Sequence, residues 1–142
     1  MTPTPNELKK TLVDRGFEVY RTLGDQVVLA DRVRENLIMD SGVAVRPGDA
    51  LAVRFVIRAQ ASDFPSASAE DLYERARACA AEACGRGYAE VSVAAVPVRD
   101  PGDASATLDT WYEVAFERRV SSEEELDSEL RYALALEKTV VR

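Results

Sequence analysis

The chain has 142 residues, of which 46% are hydrophobic and 30% charged, and its formal net charge is −7. This length and composition predict one globular domain, residues 1–142, and the acidic balance excludes nucleic-acid binding through clustered Lys and Arg. The chain contains no histidine, which is the commonest metal ligand and the usual proton carrier near neutral pH, so we expect a non-enzymatic protein without metal or cofactor. No apolar run approaches the roughly 18 residues of a membrane span, and no secretory signal is evident, so we expect a cytoplasmic protein that does not enter a membrane.

The N-terminal helix is predicted from its end signals. Thr4, Pro5 and Glu7 combine an N-cap hydroxyl, a proline in the first turn and a capping-box carboxylate. Gly16 stands where a helix commonly ends, because glycine readily adopts the left-handed conformation there. The sequence therefore predicts a short helix that ends at Gly16.

Three strands are predicted before the next helix. Residues 17–22 and 26–31 form a hairpin around Gly24 and Asp25. Residues 50–60 alternate with a period of two, which is typical of a half-buried strand. Between them, residues 36–39 could form a further short strand, followed by a turn at residues 40–42.

Two arginines share one face of the strand at residues 50–60. Arg54 and Arg58 alternate with the core-facing residues, and Val56 lies between them on the same side. Their stems could cover apolar surface on a solvated face. Alternatively, their guanidinium groups could hold an anion, since guanidinium matches carboxylate and phosphate.

A long helix is predicted after a loop at residues 62–66. Ser66 or Ser68 caps its N-terminus, and glycines at positions 85 and 87 end it. Cys79 and Cys84 lie on this helix, about 140° apart around its axis, so they should not bond to each other. We expect both to be buried free thiols.

Two longer strands, residues 88–98 and 108–120, are joined by an exposed loop at residues 99–105. Trp111 and Glu113 share one face of the second strand. If that face is open, Trp111 belongs to a binding surface; if it is covered, Trp111 belongs to the core. Glu113 belongs to a solvated face, or it forms an ion pair with Arg54 or Arg58 if their strands are neighbours.

The terminal helix begins at the capping box around Ser122. Tyr132, Leu136 and Val140 fall beside its core stripe and widen the apolar face. The apolar area of this face is larger than the area that packing against a small sheet would bury. A partner protein or a second copy of the chain could take the remainder.

The predicted order is α-β-β-β-α-β-β-α, an α+β fold with a mostly antiparallel, twisted sheet and helices packed on one face. This order resembles the type III secretion chaperone-like fold, including the YbjN-like sensory regulators. The resemblance rests on the following segments: residues 8–16, 17–31, the strand at Leu51, 68–84, 88–120 and the helix from Ser122. It implies a small acidic homodimer that binds extended or amphipathic protein segments and has no catalytic residues.

The sequence favours a chaperone-like, adaptor or regulatory module that binds a partner protein through a sheet face or edge. The residues expected to contact that partner are Val56, Trp111, Tyr132 and Leu136. The alternative is a small-molecule, anion-binding domain or a small α+β enzyme. Its ligand residues would be Arg54, Arg58 and Glu113. A structural subunit of a larger assembly is a third interpretation.

Overall fold

A computed structural model describes residues 2–141 of the protein. Its elements, in chain order, are α1 (Pro5–Asp14), β1 (Val19–Thr22), β2 (Val27–Arg34), β3 (Leu37–Arg46), β4 (Leu51–Gln60), a 3₁₀ turn (Ala61–Asp63), α2 (Ala69–Cys79), α3 (Ala81–Gly85), β5 (Ala89–Asp100), β6 (Asp103–Val120) and α4 (Glu123–Ala135). The strands form one antiparallel sheet in the order β1-β2-β3-β4-β6-β5. The α+β class is confirmed. The further strand that residues 36–39 could form is present within β3, so four strands precede α2, and the predicted central helix is divided into α2 and α3.

Contacts within the chain define two compact units. The first holds residues 2–55 and 117–136, which include α1, β1, β2, β3 and α4. The second holds residues 56–116 and 137–141, which include α2, α3 and β5. The single domain 1–142 stays a prediction, and its terminal residues Met1 and Arg142 lie outside the described part of the chain.

The start and end of α1 are confirmed. The Thr4 hydroxyl accepts a hydrogen bond from the backbone N–H of Glu7, and the Glu7 carboxylate accepts one from the backbone N–H of Thr4. Gly16 follows the helix with φ of 92°, a conformation that glycine adopts without steric cost. Leu8 and Leu12 are buried, so this short helix is stabilised by packing within the first unit.

The turn predicted at residues 40–42 is wrong, because these residues lie within β3. The strand instead contains a bulge: the partners of Val28 and Ala30 are Ala44 and Asp40, so β3 has extra residues between them. The Ser41 hydroxyl fills this gap by donating to the carbonyl oxygen of Leu29 at 2.7 Å. Gly42 accommodates the irregularity with φ of 77°. Asp, Ser and Gly suit both a turn and a hydrogen-bonded bulge, so the sequence of residues 40–42 does not distinguish between the two.

The alternation predicted for β4 is confirmed. Val53, Phe55 and Ile57 are fully buried, whereas Arg54 and Arg58 on the opposite face are half-buried. The apolar set therefore packs into the cores, and the arginine face keeps contact with solvent.

The central helix begins as predicted but is interrupted. Ser68 caps α2 in a reciprocal capping box with Asp71. The helix ends at Cys79, and α3 starts after Ala80. The expectation of buried thiols is wrong: Cys79 and Cys84 are both free and exposed, because the buried stripe consists of Leu72 and the small residues Ala76, Ala80 and Ala83.

The loop predicted between the last two strands is a tight turn. Pro101 and Gly102 alone connect β5 to β6, so most of residues 99–105 belong to the strands. The Asp100 carboxylate accepts a hydrogen bond from the backbone N–H of Gly102 at 2.8 Å. The Pro, Gly and Asp residues that indicated a loop serve this turn instead.

The terminal helix is shorter than predicted. Ser122 caps α4 by accepting from the backbone N–H of Glu125, but the helix ends at Ala135. Val140 is therefore not beside its core stripe. The segment after the helix runs parallel to β4 in the second unit, where Arg58 donates to the Lys138 carbonyl and accepts from the Val140 N–H, both at 2.8 Å. Across residues 2–141 no helix is long and apolar enough to cross a membrane.

Candidate functional site

Four predicted site residues lie on β4 and β6 within the second unit. We call this group the Arg58–Trp111 patch: Val56 and Arg58 from β4, Trp111 and Glu113 from β6. The guanidinium carbon of Arg58 lies 3.8 Å from the centroid of the Trp111 ring. The Nε and Nη2 atoms of Arg58 each lie 3.0 Å from one Glu113 carboxylate oxygen, Oε2. The predicted ion pair is thus present, because β4 and β6 are neighbours in the sheet.

The backbone and the side chain of Arg58 are both held in place. Its N–H and carbonyl pair with the segment at residues 138–140, and its guanidinium is bound by Glu113. Stacking on the indole adds a cation–π attraction, which is strongest when the cation is partly removed from water. These contacts restrain Arg58 from both its backbone and its guanidinium group.

Trp111 is half-buried, so it is neither a core residue nor a fully exposed one. Arg58 covers one side of its ring. Tryptophan and arginine are the residues most often found at the energetic centres of protein interfaces. A rigid, half-buried pair of this kind can receive an apolar side chain at a low cost in conformational entropy.

Asp109 anchors the strand beside the patch. Its carboxylate accepts from the backbone N–H and the hydroxyl of Ser62, at 2.9 and 2.8 Å, and from the backbone N–H of Thr110. Burial raises the pKa of Asp109, but the hydrogen bonds from Ser62, Thr110 and the Trp111 side chain outweigh that effect and leave the pKa below its ordinary value. The charged carboxylate is the form that positions these groups.

Arg54 lies in the first unit, in a separate arginine cluster. Arg46 and Arg54 each contact the same Glu117 oxygen, Oε2, at 2.6 and 3.1 Å. This cluster borders a cleft of about 250 Å³, whose lining residues are Arg46, Pro47, Gly48, Asp49, Ala50, Ala52, Glu117 and Arg119. An anionic ligand at Arg54 or Arg58 would have to compete with Glu117 or Glu113, so neither guanidinium offers a vacant partner site.

The remaining two predicted contact residues are in the first unit. Tyr132 lies in the last turn of α4, and Leu136 follows the helix in an extended conformation; both are half-buried. The structure thus divides the four residues predicted to bind a partner, with Val56 and Trp111 in one unit and Tyr132 and Leu136 in the other.

Two features escaped prediction. Glu129 is buried in α4, where its carboxylate lies 2.9 Å from Nη1 of Arg118. Its position between Leu126 and Leu130 is a helical core position, which could have revealed it.

The second feature is β5, an edge strand whose sequence over residues 89–96 contains a single charged residue. That scarcity of charge is visible in the sequence, but the edge position is not.

No protein-family model, curated protein or solved structure matches the chain. Membership of the secretion chaperone-like family therefore stays a prediction.

Among the described residues, no group of three or more Cys, Asp or Glu side chains is arranged to hold a metal ion. The Arg58–Trp111 patch combines Val56 and Trp111 from the predicted partner-binding set with Arg58 and Glu113 from the alternative ligand-binding set.

Proposed function

We propose that the protein is a non-enzymatic interaction module that binds a partner protein at the Arg58–Trp111 patch. The observation that carries this proposal is the half-buried indole of Trp111 stacked under the Arg58 guanidinium. An apolar side chain of the partner would pack on Trp111 and Val56, beside the Arg58–Glu113 ion pair.

The chemistry of the patch supports a protein ligand over a small anion. Arg58 and Glu113 neutralise each other, so the patch presents an aromatic and aliphatic surface with a polar border. Such a centre with a polar rim is typical of protein interfaces. A small anion would need a cation without an internal partner, and Glu113 already binds this one.

The contacts within the patch support useful affinity. Contacts from Asp109, Arg58 and Glu113 restrict Trp111 and its neighbours before any partner arrives. A partner would then lose less free energy in immobilising side chains on this surface. Truncation of an anchoring tryptophan typically costs more than 1 kcal/mol of binding free energy, and often about 2.

The experiment compares affinity capture by the wild type and by Trp111→Ala from a lysate of the native host. The matched control is Tyr20→Ala, since Tyr20 is an exposed aromatic residue of the first unit that also lies near an arginine, Arg21. A true partner is then purified and titrated. We expect binding at least about tenfold weaker for Trp111→Ala, which is 1.4 kcal/mol, and unchanged for Tyr20→Ala.

Folding must be separated from binding in this test. Trp111→Phe keeps an aromatic ring and should retain most of the affinity, while thermal melting reports whether each variant is folded. The proposal fails if no captured protein depends on Trp111, or if affinity changes only in proportion to lost stability.

A further inference from the structure

We propose that β5 is a self-association edge, at which the β5 strand of a second copy pairs in antiparallel orientation. β5 is the outermost strand of the sheet and runs for 12 residues. Val91 and Val93 lie on the same face of it and are 47% and 46% exposed. A long edge strand with apolar side chains is a template for pairing with another strand.

The opposite edge of the sheet is protected, whereas this one is not. β1 has only 4 residues, and its pairing with β2 is irregular between Val19 and Arg21. Short length, bulges and charges are the usual means by which proteins prevent edge pairing. β5 is three times as long as β1 and carries one charge over residues 89–96, and Pro97 then removes a backbone donor.

The charge on β5 is confined to the two ends of the strand. Near its start, Glu90 binds Arg77, which contacts the two Glu90 oxygens at 2.7 and 3.3 Å. Arg77 also contacts Glu70 and Glu74, so this cluster keeps a net negative charge. Residues 91–96 carry no charge, and since the formal net charge of −7 opposes association of two copies elsewhere, this stretch is the favourable place for it.

The β5 sequence is complementary to itself. In an antiparallel pair with its two-fold axis at Ser92, Val91 lies opposite Val93 of the second copy, and Glu90 lies opposite Ala94. With the axis at Val93, the two Val93 side chains meet, and Glu90 lies opposite Val96. Both registers join β-branched residues across the interface and keep the carboxylates apart. This complementarity is the reason for choosing a second copy over an unrelated strand.

The expected dimer is weak. Pairing along a single edge buries less than the roughly 1,200 Å² of a standard interface. We therefore expect a dissociation constant on the order of micromolar, with the dimer populated only at higher protein concentrations.

Sedimentation equilibrium between about 1 and 100 μM tests this inference on the full chain, since this range brackets a micromolar constant. Val93→Lys places two ammonium groups near each other in either register and should weaken dimerisation at least about tenfold. Val91→Lys is the second variant. The matched control is Val33→Lys, which makes the same change on β2 at a valine that is 53% exposed.

Hydrogen exchange gives an independent readout, since β5 amides should be more protected at high protein concentration. The inference is overturned if the wild type is monomeric throughout the range, if both β5 variants dimerise normally, or if Val33→Lys is equally disruptive. Trp111→Ala should leave dimerisation unchanged, so failure of this inference and failure of the proposed function are distinguishable.

Discussion

The buried ion pair between Arg118 and Glu129 offers the sharpest test of how the first unit is held together. Glu129 exposes only 4% of its side chain, and its carboxylate contacts Nη1 of Arg118 at 2.9 Å. Arg118 also reaches Glu125, at 3.3 Å. Arg118→Ala would remove this ion pair from a buried carboxylate, which costs more than removing an ion pair from the surface.

The expected loss of stability follows from how deeply the ion pair is buried. Removing one partner of a buried pair costs about 3–5 kcal/mol, and because Arg118 is itself 25% exposed, water can partly replace it. We therefore expect a loss of about 3 kcal/mol in the free energy of unfolding. With a urea dependence of about 2 kcal/mol per M, the unfolding midpoint falls by about 1.5 M.

Urea unfolding followed by circular dichroism measures this change, with Arg131→Ala as the matched control. Arg131 pairs with Asp127 on the surface of α4 and is 63% exposed, so its removal should cost less than about 1 kcal/mol. A loss no larger than that of the control would refute the reasoning.

Two further predictions concern hydrogen bonds. Ser41→Ala removes the bulge contacts to the Leu29 carbonyl at 2.7 Å and the Val43 N–H at 3.1 Å, and should cost about 2 kcal/mol in urea unfolding; a cost below about 0.5 kcal/mol would contradict a structural role for the hydroxyl. The pKa of Asp109 is lowered, so the folded state favours the charged carboxylate. The stability that Asp109 contributes is therefore fully present above the usual carboxyl pKa. It is lost as pH falls through the lower pKa of the folded state. Between about pH 5 and 2 the wild type should therefore lose stability more steeply than Asp109→Asn; parallel urea midpoints for the two proteins would contradict this.

Predictions from local signals succeeded where the relevant partners are only a few residues apart. The capping box of α1 joins Thr4 to Glu7, and that of α2 joins Ser68 to Asp71. The alternation of β4 likewise follows from backbone geometry alone. These features needed no knowledge of the rest of the chain.

Prediction failed where one local composition fits two structures. The Asp40–Gly42 segment suits a turn or a bulge equally well, and only pairing with β2 selects the bulge. In the same way, the polar residues near Pro101 suit a loop or a tight turn, and the pairing of β5 with β6 selects the turn. The exposure of Cys79 and Cys84 depends on which helix face packs inward, which the small residues of α2 and α3 left ambiguous.

The candidate site was predictable in part. The sequence alone placed Val56 with Arg58, and Trp111 with Glu113, each pair on one strand face. It could not show that β4 and β6 are neighbours, which brings the two pairs together. Nor could it show that Tyr132 and Leu136 belong to the other unit.

By itself, the sequence determined the local elements of this protein: helix caps, the β4 period and the class of fold, all of which arise from steric and hydrogen-bonding preferences among near neighbours. The tertiary structure decided strand order, the Arg58–Trp111 stacking, the burial of Glu129 and the edge position of β5. These depend on contacts between residues far apart in the chain, whose free energy is set by which surfaces meet and not by any residue's own propensity.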